Sequence, residues 1–385
     1  MASKDGYTTI TADLVFLPDG KLHPAITLTI DETGVIIAIE HGTSGAAQGF
    51  SGILVPGFIN SHCHLELSNL KGKIQTGREL HGFIQDIVGL RKTTNFPGAL
   101  EMENTNQDMW NMGIQAVGDI CNTSTGFEIK SNSKIKYYNL VEVFGLSSNQ
   151  VESRIESAKE LARQSVSMGI SGSIVPHAPY SVCPELFSAI TATHDVDSGV
   201  WSIHHCESES EKQFVSRGIG NFRTAFDEMK LLGNDFSGFG PTPTEYVSRF
   251  FPQHGKILLV HNTYMNREDV RVLKKSGRFD DIYFCLCPNA NLYIEGRLPD
   301  IPMMISEGCK MVIGTDSLAS NHSLSIMDEL STIRSVFPEI AFEEMLQWST
   351  ANGAQLFGWN DLGKIEVGKN PGLVCVSGKN VQRIK

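Results

Sequence analysis

The spacing of apolar positions changes twice along the chain. Over the first fifty residues they fall in short runs: Thr8 to Phe16, Ala25 to Ile30, where apolar residues alternate with Thr, and Val35 to Ile39. Pro18-Asp19-Gly20 and Asp31-Glu32-Thr33-Gly34 read as turns between them. This pattern predicts strands and hairpins, and no helix. From Ile53 onward, short apolar runs alternate with stretches of helical period. Strands are predicted at Ile53–Ile59, Ile114–Ile120, Ile135–Phe144, Ser173–His177, Val200–His204, Lys256–His261, Asp281–Cys287 and Met311–Thr315. Helices are predicted at Leu80–Arg91, Gly98–Met112, Val151–Met168, Pro184–His194, Asn266–Lys275, Ser325–Ser335 and Glu343–Phe357. In Val151–Met168, the residues Val151, Ile155, Ala158, Leu161, Ala162 and Val166 share one face, with Glu and Arg opposite. After Phe357 the β pattern returns, at Leu362–Ile365 and Gly372–Val376.

Strands alternating with helices predict parallel βαβ units. Eight units suit a (β/α)8 barrel of about 250–300 residues. The rival, a doubly wound open sheet, lacks its Gly-rich dinucleotide fingerprint here. The expected fold is therefore α/β: a TIM-type barrel over residues 53–359, and a small β-sandwich domain built from both termini, 1–52 plus 360–385. The connection from Glu207 to Lys256 is far longer than the about 12–15 residues of ordinary loops. Phe222, Phe226, Phe236 and Phe239 within it argue for a substrate-covering segment over 208–243, with some helix.

Composition narrows the function. An apolar fraction of 41% and a charged fraction of 19% describe a soluble globular protein. A net charge of −11 argues against the broad basic face that nucleic-acid binding needs. No apolar run approaches the ~18 residues of a membrane span. The polar N-terminus has no apolar leader, so a cytoplasmic location is expected. The eight cysteines are scattered without a C-x-x-C pair and read as reduced core thiols.

Histidines then draw attention. His62 and His64 form an H-x-H pair at the first barrel-type strand. In a strand, residues two apart point to one side, so both imidazoles can converge on a divalent metal. His177, His204 and His261 each close a predicted strand, and Asp316 follows another. A single such histidine is equally well a hydrogen-bonded rim residue. Together they mark the face where a barrel gathers its chemistry.

Leu54-Val55-Pro56-Gly57-Phe58-Ile59-Asn60-Ser61-His62-Cys63-His64-Leu65-Glu66 resembles the opening signature of the amidohydrolase superfamily. His177-Ala178-Pro179-Tyr180, His204-His205-Cys206-Glu207, Val260-His261-Asn262, Cys287-Pro288-Asn289 and Gly314-Thr315-Asp316-Ser317 follow in the family's order. The set is similar to the cytosine- and adenosine-deaminase-like branch, which also holds triazine hydrolases, and it covers nearly the whole chain. The resemblance implies one divalent metal, Zn²⁺ first and Fe²⁺ or Mn²⁺ next, bound by His62, His64, His204 and Asp316. It implies that Glu207 shuttles protons, that His261 and Asp316 act on the metal-activated water, and that His177 faces the substrate. Glu66 is a further candidate substrate residue. No lysine ends the Ser173–His177 strand, so two-metal members bridged by a carbamylated lysine match less well. His205, beside His204, should point away by strand alternation.

The implied activity is hydrolysis of carbon–nitrogen bonds other than peptide bonds. Deamination of an aminated heterocycle is favoured: a nucleobase, nucleoside or triazine-like ring. The alternatives are a same-scaffold hydrolase with another leaving group (chloride, alkylamine, guanidine or lactam nitrogen) or a catalytically silent ligand-binding relative. The expected partner is a small-molecule substrate, with neither nucleic acid nor membrane, and superfamily habit suggests a homodimer. Arg78, Arg91 and Arg223 are candidates to meet a substrate anion. The zinc-protease motif H-E-x-x-H and the nucleophile elbow G-x-S-x-G are both absent.

Overall fold

A computed structural model describes residues 6–93, 96–194, 199–232 and 236–385. Eight parallel strands form two sheets of four. Phe58–Cys63, Ile114–Cys121, Lys136–Val143 and Ser171–Pro176 pair in sequence order. Val200–His205, Lys256–His261, Ile282–Leu286 and Lys310–Ile313 do the same. Their residues are mostly buried on both faces, as expected of parallel strands covered by helices. The sheets meet at both edges. At one, His204 N donates to the His177 carbonyl (3.0 Å) and Ser173 Oγ to that of Val200 (2.6 Å). At the other, Thr315 N and Asp316 N both donate to the His62 carbonyl (3.0 and 3.1 Å). Each junction thus carries residues singled out from the sequence.

Both termini contribute to one further sheet. Its strand order is Asn380–Arg383, Leu373–Ser377, Gln48–Pro56, Thr8–Phe16, Ile26–Ile30 and Ile36–His41, with Leu22–His23 added beside Thr8–Phe16. A two-sheet sandwich was expected there; hydrogen bonds instead connect all seven strands in a single sheet. Ile10, Val15, Leu28, Leu54, Ile365 and Leu373 form its own apolar core.

Four sequence expectations need correction. The run Ile53–Ile59 is two strands, Gln48–Pro56 in the terminal sheet and Phe58–Cys63 in the parallel one. Gly57 makes the break: its N–H turns to the Pro371 carbonyl (3.2 Å), and a Cβ there would meet Gln115 Cβ at 2.7 Å. Leu362–Ile365 is not a strand; its apolar residues pack from a turn, and Asn380–Arg383 supplies the last strand. Glu343–Phe357 is two helices, Phe342–Trp348 and Ala351–Phe357. The Ser349 and Thr350 hydroxyls both bond the Leu346 carbonyl, competing with the helical ladder, and Ile59 N takes the freed Ser349 carbonyl (2.8 Å). Finally, Val166 on the Val151–Ser167 helix is 63% exposed. Ser165 takes the inward place and accepts from Asn139 Nδ2 (2.8 Å).

The long connection is largely helical, with Glu209–Arg217, Asn221–Glu228 and Pro243–Ser248. Ser208 and Thr242 cap the first and third, and Gly218 ends the first in the left-handed region (φ 65°). Phe214, Phe222 and Phe226 hold it down as a buried aromatic cluster. Among the described residues no helix is long and apolar enough to cross a membrane.

Candidate active site

His62 lies in the Phe58–Cys63 strand and His64 just beyond it, so both rings project to one side. Their Nε2 atoms are 3.1 Å apart. His204, near the end of Val200–His205, places its Nε2 3.3 Å from that of His64. Asp316 Oδ1 completes the group, 3.6 Å from His62 Nε2 and 3.4 Å from His64 Nε2. A tetrahedral metal with bonds of about 2.0–2.1 Å to its ligands sets the ligand atoms about 3.3–3.4 Å apart. These four spacings lie near that value, and two overlapping triads, His62/His64/His204 and His62/His261/Asp316, each bring one ligand atom per residue within 4.8 Å of the others, so the cluster can hold one divalent metal.

Electrostatics agree with the geometry. Burial pulls His64 and His204 well below the ordinary imidazole range, so both are neutral and can act as ligands. His204 Nδ1 donates to the His177 carbonyl (2.8 Å), which leaves Nε2 with its lone pair toward the cluster. Burial alone would raise Asp316, but the neighbouring His62, His64 and His261 imidazoles hold it well below the carboxylate range. Its second oxygen, Oδ2, accepts a short hydrogen bond from Ser320 Oγ. His205 faces the other way, toward Asn262 Oδ1 and Thr244 Oγ1 (both 3.0 Å).

Next to the cluster lie His261 and Glu207. His261 Nδ1 donates to Asn291 Oδ1 (2.9 Å), and its Nε2 is 3.5 Å from Glu207 Oε1. Burial lowers His261 to about 4. Glu207 is fully enclosed. Burial first, then the Asp316, Glu211 and Glu295 carboxylates, push its pKa well above the usual range, which favours the protonated form. The backbone here is strained: Cys206, His261, Asn262 and Asp316 all have positive φ (47°, 73°, 56° and 54°). Such conformations cost about 1–3 kcal/mol each and persist where surrounding structure enforces them. At Cys206 the enforcing group is Glu211, whose two oxygens accept from Cys206 N (3.2 Å) and Glu207 N (2.8 Å).

These residues end in a cavity of about 190 Å³ that His64, His177, His204, Glu207, His261 and Asp316 line together. Residues 53–384 match the model of the amidohydrolase family. The chain belongs to the amidohydrolase family.

Sequence relatives include deaminases, and a deaminase and a triazine hydrolase are similar in fold. The adenosine deaminase of Helicobacter pylori is 25% identical over 338 residues, 85% of this chain and 80% of that protein. The crystal structure of Helicobacter pylori aminofutalosine deaminase with methylthio-coformycin has a TM-score of 0.82 at 22% identity, covering 97% of this chain and 94% of that one. Atrazine chlorohydrolase from Arthrobacter aurescens TC1, complexed with zinc, has a TM-score of 0.73 at 17% identity, covering 96% and 86%. Both structures share this amidohydrolase's fold.

The remaining candidates divide. His177 lines the cavity, its Nδ1 hydrogen-bonded to Ser181 Oγ (2.7 Å), and burial lowers it to about 3. Glu66 does not line the cavity. Its carboxylate accepts from Asn122 N, Thr123 N and Thr123 Oγ1, fastening the loop after Ile114–Cys121. Arg78 is paired with Asp86 on the surface, and Arg223 with Asp227 and the Phe236 carbonyl. Of the three arginines, Arg91 reaches the cavity. The apolar wall comes from Leu80, Phe83, Ile84 and Ile87 of the Glu79–Thr93 helix, and from Phe226 and Leu231 of the long connection. Sequence reasoning missed Glu142, Ser320, Asn291 and Glu211. Glu142 had left a signal, an acid inside the apolar strand run Leu140-Val141-Glu142-Val143. Glu211 was visible in the acidic run Glu207–Glu211 as an alternative to Glu207, whereas Ser320 and Asn291 gave no signal.

Proposed function

We propose that this amidohydrolase deaminates an adenine-type heterocycle, most simply an adenine nucleoside. One observation carries the reading: His62, His64, His204 and Asp316 converge beside the buried Glu207 at the end of an apolar-walled cavity. In this reading the two parallel sheets are halves of one (β/α)8 barrel over residues 53–359, and residues 1–52 with 360–385 form the small terminal domain. The adenosine deaminase relative supports the substrate class.

His62, His64, His204 and Asp316 would hold the metal, most simply zinc, which lowers the pKa of water from 15.7 to about 7 and so supplies a nucleophile at neutral pH. The chain's own groups do the rest. His261, fixed by Asn291, directs Nε2 toward the place of attack. Asp316, kept ionised, takes the proton that the attacking water loses. Glu207 gives its proton to the ring nitrogen beside the attacked carbon, so no full negative charge builds on the ring. The amine leaves as ammonia with the proton held by Asp316, the hydroxyl proton of the intermediate passes to Glu207, and the carbon–oxygen bond has then replaced the carbon–nitrogen bond with both carboxyl groups restored. General acid–base transfer of this kind contributes about 10²–10⁴-fold.

The test combines metal analysis with ammonia release from adenosine, cytosine, guanine and triazine compounds. The expected result is about one metal per chain and ammonia from the adenine nucleoside. Glu207→Ala should keep its metal and lose turnover about 10²–10⁴-fold. Unchanged turnover in that variant would remove Glu207 from the mechanism. Chloride or an alkylamine released in place of ammonia would reassign the leaving group. A chain that takes up no metal would overturn the ligand set.

A further inference from the structure

Two polar side chains in the cavity wall have no part in the chemistry above. Glu142, near the end of the Lys136–Val143 strand, has a side chain only 5% exposed. Its Oε2 accepts from Asn122 Nδ2 (3.2 Å). Its Oε1 lies on the His204 side, 3.7 Å from His204 Nδ1, a nitrogen that already donates to the His177 carbonyl. That oxygen is buried without a hydrogen-bond partner. Arg91, in the last turn of the Glu79–Thr93 helix, lines the same cavity. Its Nη2 reaches Asn122 Oδ1 (3.5 Å), and its Nε is likewise buried and unpartnered. Asn122 therefore links the two charged groups, and each keeps one atom free.

A buried polar atom left unsatisfied costs about 1–3 kcal/mol, more when charged. Two such atoms at one cavity wall mark a place where a ligand completes the bonding. The pair offers one acceptor and one donor, with opposite charges that cancel. An anionic ligand group would satisfy Arg91 but meet repulsion from Glu142, and a cation the reverse. A hydroxyl both donates and accepts. Two adjacent hydroxyls can serve the site together, one donating to the Glu142 carboxylate and the other accepting from the Arg91 guanidinium.

We propose that Glu142 and Arg91 form a subsite for vicinal hydroxyls, such as those of a ribose, on the substituent carried by the substrate ring. The proposal rests on the deaminase reading for the position of the ring. It makes Glu142 and Arg91 specificity residues, separate from the groups that transfer protons.

Binding of inosine and 2′,3′-dideoxyinosine to the metal-loaded enzyme tests it by calorimetry, because the proposed reaction consumes neither. Wild type should prefer inosine by about 10- to 100-fold, the value of one or two charge-assisted hydrogen bonds. In Glu142→Ala and in Arg91→Met the preference should collapse to within about threefold, with dideoxyinosine affinity and metal content unchanged. Glu142→Gln, which keeps the shape and removes the charge, should lie between. A wild type without the preference overturns the subsite, including one that binds neither nucleoside. So does a preference that survives in Arg91→Met and in Glu142→Gln. Ammonia release from adenosine is read separately. A hydroxyl preference without ammonia rejects the deaminase reading and retains the subsite; ammonia without the preference does the opposite.

Discussion

Glu211 and Glu329 act on the site from behind the residues that face the cavity. The Glu211 carboxylate holds Cys206 N and Glu207 N, and with them the left-handed turn that aims Glu207. An amide can accept at one of those two positions only. Glu211→Gln should therefore lower kcat about 10- to 100-fold while metal content stays constant. Unchanged kcat would show that the turn holds without the second bond. Glu329 accepts from Asn289 N (2.8 Å) and Asn321 Nδ2 (2.7 Å), and Asn321 Nδ2 also bonds the Thr315 carbonyl beside Asp316. Burial raises Glu329 from its ordinary 4.5 to about 8. Between those values the folded protein keeps a proton that the unfolded chain releases. Stability then falls as pH rises from about 4.5 to about 8, by up to ~1.4 kcal/mol per pH unit for this group. Glu329→Gln removes that contribution. Denaturant midpoints across this window should slope less steeply in the variant than in wild type. Equal slopes would mean that Glu329 is already ionised when folded.

At the scale of elements, the residues proposed as metal ligands depend on how closely strands approach. Gly314 follows the Lys310–Ile313 strand and lies against the strand that carries His62. A Cβ there would meet Cys285 Sγ at 2.7 Å, His62 Cβ at 2.9 Å and the His62 carbonyl at 3.0 Å. Two of these three are atoms of His62, a proposed ligand, and the carbonyl is the one that Thr315 N and Asp316 N both use. Gly314→Ala should cost about 1–3 kcal/mol and reduce bound metal, because overpacking moves His62 away from Asp316. Gly49→Ala, where an added Cβ meets nothing within 4 Å, is the matched control. Full metal content in Gly314→Ala would show that the strands can part without disturbing the ligands. The helices of the long connection follow a different logic. Their caps and Phe cluster fix them locally, and Phe226 and Leu231 reach the cavity from them.

At the scale of the whole molecule, the two ends of the chain join in one sheet. Leu373–Ser377 pairs antiparallel with Gln48–Pro56, and Leu373, Val374, Cys375 and Val376 are all buried. Burying each large apolar side chain is worth roughly 1.5–3 kcal/mol, against a total stability of about 5–15 kcal/mol. Removing residues 372–385 should therefore abolish most of the cooperative thermal transition, or lower its midpoint by well over ten degrees, although no cavity-lining residue is lost. An unchanged transition would mean that the parallel sheets stand without the terminal one. The Arg383 guanidinium adds a tie between the terminal and parallel sheets, bonding the Trp110 and Ile114 carbonyls (both 2.9 Å).

The sequence by itself determined seven of the eight parallel strands and most helices between them, because each is a local apolar run of the right period. It also determined the order in which His62, His64, His177, His204, His261 and Asp316 appear, since each sits near a strand end that local pattern can locate. Tertiary structure decided what lies across the cavity from what. Gly57 splits a continuous apolar run because Pro371, far along the chain, takes its N–H. Glu66, two residues from His64, is turned to the loop at Asn122, whereas Glu142 reaches the wall of the cavity. Arg91 is distinguished from Arg78 and Arg223 by partners in space alone. Periodicity reports which side of an element is buried; which buried polar atoms keep a free position for a ligand depends on the packing of distant segments.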